Sequence, residues 1–186
     1  MKVIETKLKD CVVIEPTIFR DQRGFFFESF NAKRYEENAG IKLNFVQDNR
    51  SFSTRGVLRG LHYQKKFPQG KLVSVISGEV YDVAVDLRPN SPTFGMYESI
   101  ILSGENKLQF YVPPGFAHGF CVLSEEADFC YKCTDFYTPG DEAGICWDDS
   151  TLNISWPISN PILSDKDLIL PTLSQIKCDL LSRETD

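Results

Sequence analysis

The stretch Lys71–Leu87, KLVSVISGEVYDVAVDL, decides the fold class. Lys71 alternates in phase with Val73 and Val75, Ser77-Gly78 makes a turn, and a second apolar run follows, so the segment reads as two β-strands. The same pattern spreads outward in both directions: short apolar runs broken by Gly, Pro, Asn and Asp. Strands are expected near Cys11–Pro16, Gly24–Phe30, Phe45–Ser53, Val57–Tyr63, Lys71–Ser77, Glu79–Leu87, Tyr97–Leu102, Lys107–Val112, Gly115–Leu123 and Asp128–Asp135. Arg88-Pro89-Asn90 and Pro113-Pro114-Gly115 are further turns. A helical period is clear only around Ala32–Asn38, and Ser164–Leu170 reads as a short turn or helix. An all-β chain with this spacing folds as a sandwich or a jelly-roll β-barrel with a few short helices, and the jelly roll is the preferred expectation.

A chain of 186 residues has room for one sizeable core, so residues 1–186 are expected to form a single domain. A hydrophobic content of 42%, a charged content of 25% and a net charge of −6 describe an ordinary globular protein, and the acidic balance argues against an extended nucleic-acid surface. Any anionic ligand must be met by local basic groups. The opening MKVIETKLKD has charges where a signal peptide needs its apolar region, and no later run approaches the length of a membrane span, so a cytoplasmic protein with no membrane partner is expected. The cysteines at 11, 121, 130, 133, 146 and 178 show no disulfide spacing and are expected as buried, small apolar groups. Cys130-x-x-Cys133 has no second pair or nearby histidine to hold zinc, and its strand-like surroundings count against a redox pair.

Period-2 alternation places three polar groups on rows that face a core. Lys71 is in phase with Val73 and Val75, Tyr131 with Phe129 and Cys133, and His118 with Phe116, Phe120 and Val122. A lysine, a tyrosine and a histidine turned inward together are costly unless they surround a ligand cavity. His62, the other of the two histidines, sits in GVLRGLHYQ (Gly56–Gln64), a titratable side chain on a stiff strand. With no His-x-His pair and no acidic residue at metal-site spacing, no metal or cofactor is expected. A metal-free set remains: His62 as base, Lys71 as fixed cation, Tyr131 as acid, and Arg23 and Arg59 as anion clamps. Those roles suit proton abstraction beside a carbonyl, where a positioned cation stabilises the enolate oxygen. Each residue also has a plainer reading. His62 then becomes a hydrogen-bonded core residue, Arg23 a turn charge, Arg59 a surface ion pair, Lys71 an exposed strand start and Tyr131 a structural aromatic.

The blocks RDQRGFFFESF (Arg20–Phe30), FVQDN (Phe45–Asn49), GVLRGLHYQ, QGKLV (Gln69–Val73), GEVYDVAVDLR (Gly78–Arg88), SPTFG (Ser91–Gly95), PPGFAHGF (Pro113–Phe120), YKCTDFY (Tyr131–Tyr137) and ILSDKD (Ile162–Asp167) carry a resemblance. In this order the chain resembles the dTDP-4-dehydrorhamnose 3,5-epimerase family, the third enzyme of dTDP-L-rhamnose synthesis, up to about Leu173; the tail 174–186 falls outside. The resemblance implies a metal-free, cupin-like jelly-roll barrel, a nucleotide-sugar substrate, and a homodimer whose N-terminal strands help complete the partner's sheet. It implies His62 as base with Asp167 orienting its imidazole, Lys71 as enolate stabiliser and Tyr131 as acid on the opposite face. Around the nucleotide sugar it implies Arg23, Glu28, Gln47, Asp48, Asn49, Arg59, His118, Glu142 and Lys166, with Tyr137 stacking on the base. Asp82, kept near the lysine in the family, is present; Phe136 stands where many members have tyrosine. Activities implied less directly are inversion at C3 or C5 alone, a silent sugar-binding barrel, or a metal-dependent oxygenase.

One geometric expectation follows inside GVLRGLHYQ. Arg59 and His62 have opposite parity, so a regular strand sends them to opposite faces. For both to serve one site, a bulge or bend is expected at Gly60.

Overall fold

The computed structural model describes the backbone of residues 1–181 and the side chains of residues 1–177. In chain order the elements are β1 (Lys2–Glu5), β2 (Val12–Glu15), β3 (Phe19–Asp21), β4 (Gly24–Phe26), α1 (Ala32–Ala39), β5 (Gln47–Thr54), β6 (Leu58–Gln64), β7 (Lys71–Ser77), β8 (Glu79–Asp86), β9 (Tyr97–Ser103), β10 (Gln109–Val112), β11 (Phe116–Val122), β12 (Glu126–Cys133), β13 (Glu142–Gly144), α2 (Asp165–Leu168) and α3 (Leu173–Leu181). Two antiparallel sheets result, with strand orders β1-β2-β10-β7-β12-β5 and β13-β6-β11-β8-β9, while β3 and β4 form a hairpin of their own. This is the expected jelly roll with few helices.

From β5 to β8, and again from β9 to β13, consecutive strands change sheet, and that is what makes a jelly roll of the pattern. The turn after β7 does not fold β8 back beside it: β7 pairs with β10 and β12, whereas β8 pairs with β9 and β11. Gly78 makes the crossing, at φ +79°, where a Cβ would lie 2.0 Å from the Glu126 carbonyl oxygen. No other residue fits so close to a neighbouring backbone.

The main core lies between the sheets, with Val73, Val75, Phe110 and Phe129 from one meeting Val80, Ala84, Phe116 and Phe120 from the other. Phe110 and Phe129 are fully buried, each worth roughly 1.5–3 kcal/mol. Both sheets are also covered outside. Helix α1, capped by Asn31 accepting from the Arg34 N–H and closed by left-handed Gly40, lays Tyr35 against Ile14, Leu72 and Tyr111. The segment from Ile145 to Leu173 covers Leu61, Val83, Val85 and Ala117 on the other sheet. Strand β11 is therefore buried along its whole length.

Several expected boundaries move. The arm expected over Gly24–Phe30 is a strand only at Gly24–Phe26, paired to β3 alone, with Phe19, Phe25 and Phe26 exposed. Strands β1, β3 and β13 were not expected, being too short to show alternation. The last long strand begins at Glu126 and ends at Cys133. Cys11, Cys121 and Cys133 are buried, Cys130 and Cys146 only half-buried, and Cys178 lies outside the described side chains. Cys130 and Cys133, three apart on one strand, point to opposite faces. Among the described residues no helix is long and apolar enough to cross a membrane.

Candidate active site

Strand β6 brings His62 to the space between the sheets by an irregularity at Gly60. Against β11, Arg59 pairs with Phe120 and His62 with His118, so β6 uses three steps where β11 uses two. Gly60 holds φ +125°, the Gly60–Leu61 peptide is cis, and a Cβ on Gly60 would lie 2.7 Å from the Gly119 Cα. The expected bulge is present, and through it Arg59 and His62 line one cavity of about 240 Å³.

His62 Nε2 lies 2.5 Å from Asp167 Oδ1. Asp167 is buried on α2, where its Oδ2 accepts from the Ser164 hydroxyl at 2.9 Å and its N–H donates back to Ser164 Oγ at 3.2 Å. Burial pushes the Asp167 carboxyl up, but the His62 contact and the Ser164 hydrogen bonds outweigh it and hold the group below its ordinary value. The carboxylate thus stays charged and fixed beside the imidazole.

From the opposite sheet come Lys71 on β7 and Tyr131 on β12, with the lysine Nζ 6.0 Å from the centre of the tyrosine ring. Burial pulls the Lys71 ammonium below its ordinary value, with Cys133 and Asp82 opposing the shift. Burial also raises the Tyr131 phenol, so it keeps its proton. His118 lines the cavity too, its Nε2 2.9 and 3.0 Å from the two oxygens of fully buried Asp82. The inward assignment of Lys71, Tyr131 and His118 holds. For His118 the alternation alone was empty, because β11 is buried on both faces.

Of the remaining expected residues, Glu142 and Lys166 also line the cavity, their charged ends 3.6 Å apart. Tyr137 is exposed, and its hydroxyl bonds to Glu142, which raises its phenol. Gln47 donates to Asn49 at 3.0 Å on β5 and accepts from the Tyr137 N–H at 2.8 Å. Gln47, Asn49 and Tyr137 do not line the cavity, and neither do Asp48, Arg23 and Glu28. Asp48 has the parity opposite to Gln47 and Asn49 and pairs with Lys132 at 2.9 Å. Arg23 sits at the tip of the β3–β4 hairpin, bonded to Asp21, and Glu28 pairs with Arg34.

The sequence analysis missed Ser51, which lines the cavity, and Ser164, which fixes Asp167. Ser164 was legible as the helix cap in Ser-x-x-Asp; Ser51 carried no signal. Among the described residues no group of three or more His, Cys, Asp or Glu is arranged to hold a metal ion.

A cavity with an Asp-held imidazole on one wall and a neutral phenol and a lysine on the other can move protons at a carbon beside a carbonyl. The family model for dTDP-4-dehydrorhamnose 3,5-epimerase matches residues 5–175. The chain belongs to that family. It is 58% identical over 169 residues to the dTDP-4-dehydrorhamnose 3,5-epimerase of Shigella flexneri, covering 90% of this chain and 93% of that one. The crystal structure of dTDP-6-deoxy-D-glucose-3,5-epimerase from Legionella pneumophila Philadelphia 1, in complex with dTDP-4-keto-L-rhamnose, superposes with a TM-score of 0.93 at 57% identity, covering 97% and 96% of the two chains. That of the Bacillus anthracis Ames enzyme, with TDP and PPi bound, gives 0.90 at 49% identity, covering 92% and 99%. The epimerase described here is thus an isomerase acting on a sugar, built on the jelly roll of its relatives.

Proposed function

We propose that this epimerase inverts C3 and C5 of dTDP-4-dehydro-6-deoxy-D-glucose to give dTDP-4-dehydro-L-rhamnose, with residues 1–186 acting as one domain and without metal or cofactor. The observation that carries the mechanism is that His62 and Tyr131 lie on opposite walls of one cavity, with Lys71 beside Tyr131. His62, oriented by Asp167, takes the proton from the carbon beside the C4 carbonyl. The electron pair moves into the C–C bond and the carbonyl oxygen becomes an enolate, stabilised by the Lys71 cation. Tyr131 then gives its proton to the same carbon from the other face, and the configuration inverts. Both residues return to their starting protonation through solvent, and the sequence repeats at the second carbon. No electrons are gained or lost overall, so the step needs no redox partner.

Arg59 meets the pyrophosphate, because a guanidinium fork matches phosphoryl oxygens, and His118, Glu142 and Lys166 surround the sugar. Gln47, Asn49 and Tyr137 serve the nucleotide end. We further infer a cytoplasmic homodimer. Supporting it are the β3–β4 hairpin, which joins neither main sheet of its own chain, and the exposed Phe19, Phe25, Phe26, Phe52 and Ile76. In such a dimer Arg23 and Glu28, remote from their own cavity, serve the partner's nucleotide, with Asp48 beside them.

The test is incubation with the 4-keto sugar nucleotide in D₂O, read by proton NMR at C3 and C5. Deuterium is expected at both positions in the wild type. His62→Ala should lose roughly 100- to 10,000-fold in turnover together with exchange. Tyr131→Phe should keep exchange better than net inversion. Exchange at one carbon alone would make the enzyme a mono-epimerase, and normal exchange in His62→Ala would remove His62 as the base.

A further inference from the structure

Ser51 is the buried polar side chain that the fold leaves unsatisfied. Among the described residues, its Oγ is the one buried side-chain polar atom without a hydrogen-bond partner. The residue as a whole is half-buried and lines the His62 cavity, while its hydroxyl oxygen is itself buried. Its place on β5 is unforgiving: it stands opposite Phe129 on β12, whose ring offers nothing to bond. A buried hydroxyl without a partner is destabilising and is rarely kept without a use. Rotation about the Cα–Cβ bond, between staggered wells, carries the hydroxyl into the cavity.

What it meets there follows from its neighbours. Ser53, the next inward residue of β5, accepts from Arg59 Nε at 3.0 Å. That bond fixes the guanidinium and leaves its two terminal nitrogens without a side-chain hydrogen bond among the described residues. Two serines on one strand row thus serve one anion corner, the first holding the cation and the second holding a free hydroxyl. We propose that Ser51 is a substrate-binding residue whose hydroxyl turns into the cavity and donates to the phosphoryl oxygen clamped by Arg59. The proposal rests on the assignment of Arg59 to the pyrophosphate.

The test compares Ser51→Ala with the wild type by calorimetric titration of dTDP, by steady-state kinetics with the sugar nucleotide, and by thermal melting. A hydrogen bond to a charged group is worth roughly tenfold or more in affinity. The Kd for dTDP and the KM are expected to rise together by about that factor, with kcat within about twofold. The melting temperature should stay level or rise, since an unsatisfied hydroxyl is removed. Unchanged dTDP affinity overturns the proposal, whether or not KM rises, because a raised KM alone puts the hydroxyl on the sugar. A fall in melting temperature with unchanged affinity makes Ser51 structural and also overturns it. Arg59→Lys, titrated in parallel, separates the two assignments: unchanged dTDP affinity in that variant counts against Arg59 at the phosphate, not against Ser51 alone.

Discussion

Arg59 and His62 reach one cavity from one strand because β6 spends three residues, ending at His62, where β11 spends two, ending at His118. The surplus residue is absorbed around Gly60, packed so closely on Gly119 that the two strands touch backbone to backbone. A candidate anion clamp and a candidate base, which a regular strand would separate, are thereby brought together.

Gly60→Ala tests that arrangement. Its methyl would lie 2.7 Å from the Gly119 Cα and 2.8 Å from the His118 carbonyl oxygen, at a positive φ that L residues resist. We expect a loss of at least about 2 kcal/mol in chemical denaturation and a fall of tenfold or more in kcat/KM. An equally stable and active variant would show that β6 does not need its bulge.

Asp167→Asn removes the charge that holds the imidazole while keeping its shape. Turnover is expected to fall between about 10- and 1,000-fold, less than for loss of the base itself. Stability carries a second signature. The Asp167 carboxyl is held below its ordinary value. Its contribution is therefore fully present above the unfolded value of about 3.9 and is lost as pH falls through the lower folded value. Denaturation curves from pH 5 downward should show a steeper loss for the wild type than for the variant.

Lys71, in its proposed role, is expected to set the alkaline limit of activity. Burial pulls its ammonium below its ordinary value and pushes the Tyr131 phenol above its own, so on raising the pH the lysine proton leaves below its usual range. The enolate then loses its cation, and kcat should fall at a pH below the ordinary lysine value of about 10.4. In Lys71→Arg the cation persists, so that limb should disappear from a less active enzyme. A limb unmoved in Lys71→Arg would assign it to another group.

The hairpin makes a prediction about assembly. Phe25 and Phe26 are exposed on β4, which pairs only with β3. The double change to Asp should convert a dimer to monomers in sedimentation velocity, and Arg23→Ala should weaken dTDP binding without dissociating the dimer. A wild-type monomer would end the dimer assignment.

The fold class was legible because alternation is local: Lys71, Val73 and Val75 announce an inward row without reference to any other strand. The exchange of sheets at Ser77-Gly78 was not, since a tight turn looks the same whether the next strand lies beside the first or across from it. At the site, Lys71 and Tyr131 could be read from parity. The face of His118 could not, because β11 is covered on both sides.

His62 and Asp167 mark the limit. The amino-acid sequence alone determined the residue types, the strand rows, the mismatch of Arg59 and His62 and, through its ordered blocks, the family resemblance. Only the tertiary structure decided that Ser164 locks Asp167 onto His62, that Ser53 holds Arg59, and that Ser51, which lines the same cavity, is left with an unpaired hydroxyl. Period-2 alternation fixes a side chain's face within its own strand. Which groups share a cavity depends on how strands distant in sequence are paired, and pairing is a property of the closed sheets.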